Sequence, residues 1–272
     1  MIETIIEMMQ YTFIQRAVLV GVLVSGCAAL LGVSLVLKRY AMIGDGLSHV
    51  GFGVLAIAVA LGWSPLYVSI PIVIIAAIIL LKIGNNSKIQ SDSAIGIIAS
   101  SSLAIGVAVT SATTGLNTDV WNYMFGSILA MSKSDVILSV IVSIIVAILF
   151  IIYYRKLFAV TFDEKFARAS GLNVTWYTNL IAILTAVVIV VGMRMMGTML
   201  ISSIIIFPAL TSMRIFKTFK KVVISSGVIS VISFLIGIYF SYIYNISTGA
   251  MIVIVNLFLF VVFTSIDKII YE

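Results

Sequence analysis

Apolar residues in this chain fall in long uninterrupted runs, with neither the strict alternation of a strand nor the narrow stripe of a soluble helix. From Phe13 to Leu37 the only charged side chain is Arg16. A helix crossing the roughly 30 Å hydrocarbon core of a bilayer needs about 20 such residues. Runs bounded by charge, Gly, Pro or Asn predict nine spans: Phe13 to Leu37, Ala41 to Leu61, Pro65 to Leu81, Ala94 to Val109, Val136 to Tyr154, Trp176 to Met193, Gly197 to Met213, Val222 to Tyr244 and Ser247 to Ile266. Only Gly192, Arg194 and Gly197 separate the sixth from the seventh, so either is expected to be short or re-entrant. Ahead of the first span, Ile2, Ile5, Ile6 and Met9 recur at helical spacing, the pattern of an amphipathic interfacial helix.

The pattern therefore predicts an all-α polytopic membrane protein with eight to nine transmembrane helices. Residues 1–272 form one membrane domain, with 1–12 as an external lead-in and 155–175 and 208–221 as cytoplasmic loops. Composition agrees. The chain has 272 residues, 62% apolar and 10% charged, where soluble domains carry about 25% charged residues. A soluble enzyme and a nucleic-acid-binding domain are excluded despite a formal charge of +6. A single cysteine, Cys27, removes disulfide frameworks and cysteine metal clusters. Glu3 and Glu7, with no early basic residue, do not match a cleavable signal peptide.

The basic residues set an orientation, because cytoplasmic loops hold an excess of Lys and Arg. With the amino terminus outside, Lys38, Arg39, Lys82, Lys88, Arg155, Lys156, Lys165, Arg168, Arg214, Lys217, Lys220, Lys221 and Lys268 fall on the cytoplasmic side, as does the carboxyl terminus. Of the 16 basic residues only Arg16, Lys133 and Arg194 remain outside. The external connection Thr110 to Asp135 carries Trp121, Tyr123 and Phe125, residues suited to the membrane interface.

Nine of the ten acidic residues lie in loops, at termini or at span edges. The exception is Asp45, inside the second span, and the only histidine, His49, follows four residues later. An ionised carboxylate at mid-bilayer costs roughly 2.5–3.5 kcal/mol on insertion scales, which makes such a residue a functional candidate. Positions i and i+4 share a helix face, so the two side chains can converge on one ion, with Ser48 beside them as a supporting group. A carboxylate with a neutral imidazole is ligand chemistry for Zn²⁺ or Mn²⁺. Two ligands do not close a zinc site; a second copy of the chain could supply the others, or the metal could retain waters. Gly44, Gly46, Gly51 and Gly53 surround the pair and permit close helix approach or a partly unwound helix.

Other readings remain open at this point. Asp45 and His49 could be a hydrogen-bonded packing pair in a subunit that translocates nothing, or a proton relay in a secondary transporter. Met193, Met195, Met196 and Cys27 read as packing residues. A two-histidine protease helix is excluded by the single His, and no Gly-x-x-x-x-Gly-Lys-Ser/Thr phosphate loop occurs, so the chain does not hydrolyse ATP by itself.

The stretch Leu37-Lys38-Arg39-Tyr40-Ala41-Met42-Ile43-Gly44-Asp45-Gly46-Leu47-Ser48-His49 resembles the signature of the permeases of zinc/manganese ABC importers, a basic pair followed by Gly-Asp-Ala-Leu-Ser-His. It departs in Gly46 for Ala and Lys38 for the first Arg. The resemblance continues in Phe125-Gly126-Ser127-Ile128-Leu129, in Phe162 to Leu172, and in Gly197 to Arg214 around Pro208-Ala209-Leu210. It implies a fold similar to vitamin B12-type importers and a paired, homodimeric permease in a bacterial plasma membrane. It also implies a cytoplasmic ATPase and an external metal-binding protein as partners. Asp45 and His49 match the metal residues. The segment 208–221, with Pro208, Ala209, Leu210 and Arg214, matches the loop that couples to the ATPase. The expected function is non-enzymatic: import of Zn²⁺ first, Mn²⁺ second and Fe²⁺ not excluded, as a transported substrate with no permanent cofactor and no nucleic-acid partner.

Overall fold

A computed structural model describes residues 2–86, 91–113, 126 and 132–271. Its elements are α1 (Ile2–Gln10), α2 (Thr12–Leu37), α3 (Ala41–Ala60), α4 (Pro65–Asn86), α5 (Ser91–Ala112), α6 (Lys133–Phe162), α7 (Glu164–Ala169), α8 (Val174–Met196), α9 (Thr198–Ile215), α10 (Phe219–Tyr244) and α11 (Thr248–Tyr271). Eight of these are long and apolar enough to cross a membrane, and the ninth expected span is the shorter α9, apolar from Leu200 to Ile215. The break between the sixth and seventh spans falls at Gly197, whose φ of 88° and ψ of 160° lie in a region essentially reserved for glycine. Trp121, Tyr123, Phe125, Ser127 to Leu129 and Lys88 lie outside the described residues.

Helices α2, α3 and α8 form the centre, with 67%, 67% and 72% of their apolar windows buried, while α6 and α11, at 22% each, lie at the periphery. Since lipid is as apolar as leucine, close backbone approach at small residues holds such helices together. A Cβ on Gly32 of α2 would lie 2.0 Å from the Ile205 carbonyl oxygen of α9, and one on Gly53 of α3 would lie 2.6 Å from the Ser102 carbonyl of α5. Serine hydroxyls add ties between α10 and α2: Ser230 donates to the Ser25 carbonyl at 2.9 Å and Ser226 to the Ala29 carbonyl at 3.3 Å.

Ion pairs pin both ends of the bundle. At one end Lys38, its side chain only 4% exposed, pairs with Glu164. It also donates to the Val160 carbonyl at 3.2 Å and to Thr178 Oγ1 at 3.4 Å, joining the end of α2 to α6, α7 and α8. At the other end Arg194 Nη1 donates to Asp135 Oδ1 at 2.7 Å. The second oxygen of Asp135 accepts from Ser132 N and Oγ in the capping box that starts α6.

Two segments expected as loops are largely helical. α6 continues past Tyr154 to Phe162, and α7 occupies Glu164–Ala169, so less of 155–175 is irregular. α9 passes through Pro208 to Ile215, leaving 216–218 as the only non-helical part of 208–221. Proline removes a single backbone bond, the one to the Ile204 carbonyl, a loss that membrane helices tolerate when neighbours cover the site; Pro208 and Ala209 are indeed buried.

Candidate metal site

α3 starts from a tight connection. The amide of Tyr40 bonds the Leu35 carbonyl at 2.8 Å and that of Arg39 bonds the Val36 carbonyl at 3.1 Å, with Arg39 left-handed at φ 61°. This is a Schellman closure of α2, after which α3 begins within three residues and packs on α4, α5 and α9 rather than on α2. Asp45 follows in the second turn and His49 one turn later.

The four glycines around them do not unwind the helix, which is continuous from Ala41 to Ala60. Each faces a neighbour. Added Cβ atoms would lie 3.4 Å from Ile205 at Gly44, 2.6 Å from Ile95 at Gly46 and 2.7 Å from the Met193 sulfur at Gly51. Gly46, where the resembling family has Ala, is thus explained by the Ile95 side chain of α5 filling the space. Met193, Met195 and Met196 are buried packing residues, and Cys27 is buried with its thiol donating to the Ser143 carbonyl.

Asp45 and His49 do come together. His49 Nε2 lies 3.7 Å from Asp45 Oδ2, with the side chains 18% and 40% exposed respectively. That separation is longer than a hydrogen bond. It suits two ligands of one ion: a metal about 2.1 Å from each would subtend an angle near 120°. Imidazole nitrogen and carboxylate oxygen fit zinc or manganese. His49 Nδ1 is buried with no protein hydrogen-bond partner among the described residues. No cluster of three or more His, Cys, Asp or Glu occurs among the described residues.

Ser48, fully buried, spends its hydroxyl proton on the Asp45 carbonyl at 2.7 Å. A residue absent from the sequence-based set is Ser202 of α9, whose hydroxyl donates to Asp45 Oδ1 at 3.3 Å. Nothing in the sequence singles it out among the many serines of the spans. Leu210 and Arg214 are exposed on the same helix, beyond Pro208, and the Arg214 guanidinium lies 5.6 Å from the Phe260 ring centroid.

Comparison with known proteins shows what this geometry belongs to. The model of the ABC 3 transport family matches residues 10–266. The chain belongs to that family. It is similar to the manganese import system permease protein ScaB of Streptococcus gordonii, 31% identical over 252 residues that cover 93% of this chain and 90% of the relative. It is equally similar to the high-affinity zinc uptake system membrane protein ZnuB of Haemophilus influenzae, 32% identical over 245 residues, covering 90% and 94%. Among solved structures it resembles PsaBC from Streptococcus pneumoniae in complex with Fab, with a TM-score of 0.87 and 30% identity, covering 97% of this chain and 95% of that one. The family expectation drawn from Leu37 to His49 therefore stands.

Proposed function

We propose that this chain is the transmembrane permease of an ATP-binding cassette importer that carries a divalent transition metal, Zn²⁺ or Mn²⁺, into a bacterial cell. One observation carries the site assignment: Asp45 and His49, the one imidazole of the sequence, lie 3.7 Å apart on one face of α3. Family membership and the similarity to ScaB and ZnuB support the direction and the cargo. Relatives of nearly equal identity are named for different metals, so the overall sequence does not choose between the two.

In this reading Asp45 offsets the charge of the ion and His49 supplies a borderline nitrogen ligand, with Ser48 buttressing the helix between them. The pair faces outward enough for a second copy to complete the coordination shell in a homodimer, or for the ion to keep part of its water. ATP hydrolysis belongs to a cytoplasmic ATPase, and delivery to an external metal-binding protein. The amino terminus lies outside and the carboxyl terminus inside, as the basic residues dictate. The exposed residues Leu210 and Arg214, with the basic stretch to Lys221, form the surface that meets the ATPase; Pro208 and Ala209 shape it from within.

The test is uptake of radioactive zinc or manganese into cells producing the chain with and without its ATPase. Uptake that needs the ATPase and survives collapse of the proton gradient supports the proposal. Uptake that persists without an ATPase and stops with the gradient would establish a proton-coupled carrier instead.

A further inference from the structure

We infer that Ser202 is a positioning residue for metal binding: its hydroxyl holds the Asp45 carboxylate so that Oδ2 is presented toward His49. The inference rests on the metal-path reading of Asp45 and His49 and adds a residue from a different helix to it.

The geometry is one of competition for a single proton. Ser202 has one hydroxyl hydrogen and three acceptors in reach: Asp45 Oδ1 at 3.3 Å, the Thr198 carbonyl at 3.4 Å and Ser48 Oγ at 3.5 Å. Ser48 has already given its own proton to the Asp45 carbonyl at 2.7 Å. An ionised carboxylate is the strongest of the three acceptors. Ser202 is itself buried, 7% exposed, so water does not readily replace its bond. With Oδ1 occupied from α9, the rotation of the carboxylate is restricted and Oδ2, 3.7 Å from His49 Nε2, is the oxygen left for the ion.

The backbone explains why this serine arrives there. Gly197, in its glycine-only conformation, ends α8 and starts α9. Ser202 sits five residues further on, about 7.5 Å along the helix. Gly32 then lets α9 lie backbone to backbone against α2, which brings the hydroxyl within reach of Asp45 on α3. Ligand-orienting partners of this kind typically change metal affinity about 10- to 100-fold when removed. The long bond here places Ser202 at the lower end.

The experiment is an equilibrium titration of the full chain in lipid nanodiscs with Mn²⁺, free ion being measured by electron paramagnetic resonance, for the wild type, Ser202→Ala, Ser202→Thr and Asp45→Ala. Ser202→Ala is expected to weaken Mn²⁺ binding about tenfold with an unchanged thermal unfolding midpoint, and Ser202→Thr, which keeps the hydroxyl, to bind within about threefold of wild type. Wild-type affinity in Ser202→Ala, or equal losses in the Ala and Thr variants, would overturn the inference. Should Asp45→Ala bind like wild type, the metal-path reading itself fails. Should Asp45→Ala lose binding while Ser202→Ala keeps it, the positioning role alone fails.

Discussion

Replacing Gly32 with alanine probes the contact that brings α9 to the site. The new Cβ would meet the Ile205 carbonyl oxygen at 2.0 Å, where ordinary contact begins at 3.4 Å, so the two helices must separate by about 1.4 Å. Both sides of the contact are backbone, and neither can rotate away. Overpacking of this kind costs typically 1–3 kcal/mol, and a backbone clash belongs at about 3. Alanine returns roughly 1 kcal/mol of helix propensity over glycine. A net loss of about 2 kcal/mol corresponds to a midpoint lower by about 4–8 °C at this chain length. Cys27, the only cysteine and buried, is a built-in probe, since a thiol-reactive fluorophore labels it only on unfolding. Gly227→Ala is the control, because the nearest atom to its new Cβ, from Leu30, lies at 3.9 Å. Its midpoint should stay level or rise. Ile205 is less than one turn from Ser202, so Gly32→Ala should also lose metal affinity as the 3.3 Å bond to Asp45 is pulled apart. Equal midpoints for Gly32→Ala and Gly227→Ala would refute the packing argument.

Three further outcomes are expected of the ends of the bundle. Asp135→Asn strips the counter-charge from Arg194, whose side chain is 16% exposed, and should cost about 2–3 kcal/mol; the double variant Asp135→Asn/Arg194→Met should unfold at a higher temperature than the single one. Glu164→Gln strips the counter-charge from the enclosed Lys38 ammonium but keeps a neutral acceptor on its half-exposed side, so it should cost about 1–2 kcal/mol. Lys38→Ala, which also abandons Val160 and Thr178, should cost more, and equal thermal shifts for the two would contradict this ranking. Arg39→Gly, at φ 61°, should stabilise the chain by about 1 kcal/mol by relieving a left-handed residue, read as a raised midpoint in the same thiol assay.

The spans were legible because apolar length is a one-dimensional property, and each of the nine expected segments coincides with a helix. Asp45 and His49 were legible because charge is scarce in the spans, so a single acid stands out. What escaped depends on three-dimensional approach. Ser202 is one buried serine among many, and only the break at Gly197 and the closeness of α9 to α3 give it meaning. Lys38 counts in the sequence as a marker of sidedness, whereas in the fold its ammonium is enclosed and ties three helices together. Arg194 reads as an exception to the charge asymmetry, and its reason is Asp135, 59 positions away. The glycines of α3 carry opposite expectations, unwinding or packing, and only their neighbours Ile95, Met193 and Ser102 decide for packing.

The central claim is that metal passes through the pair on α3. It is tested most directly by ATP-driven uptake of radioactive zinc or manganese into proteoliposomes holding the permease and its ATPase, comparing the wild type with Asp45→Ala and His49→Ala. Loss of either ligand group predicts uptake reduced at least about tenfold in that variant, with the ATPase still bound and the chain still folded. Wild-type uptake in both variants would contradict the account.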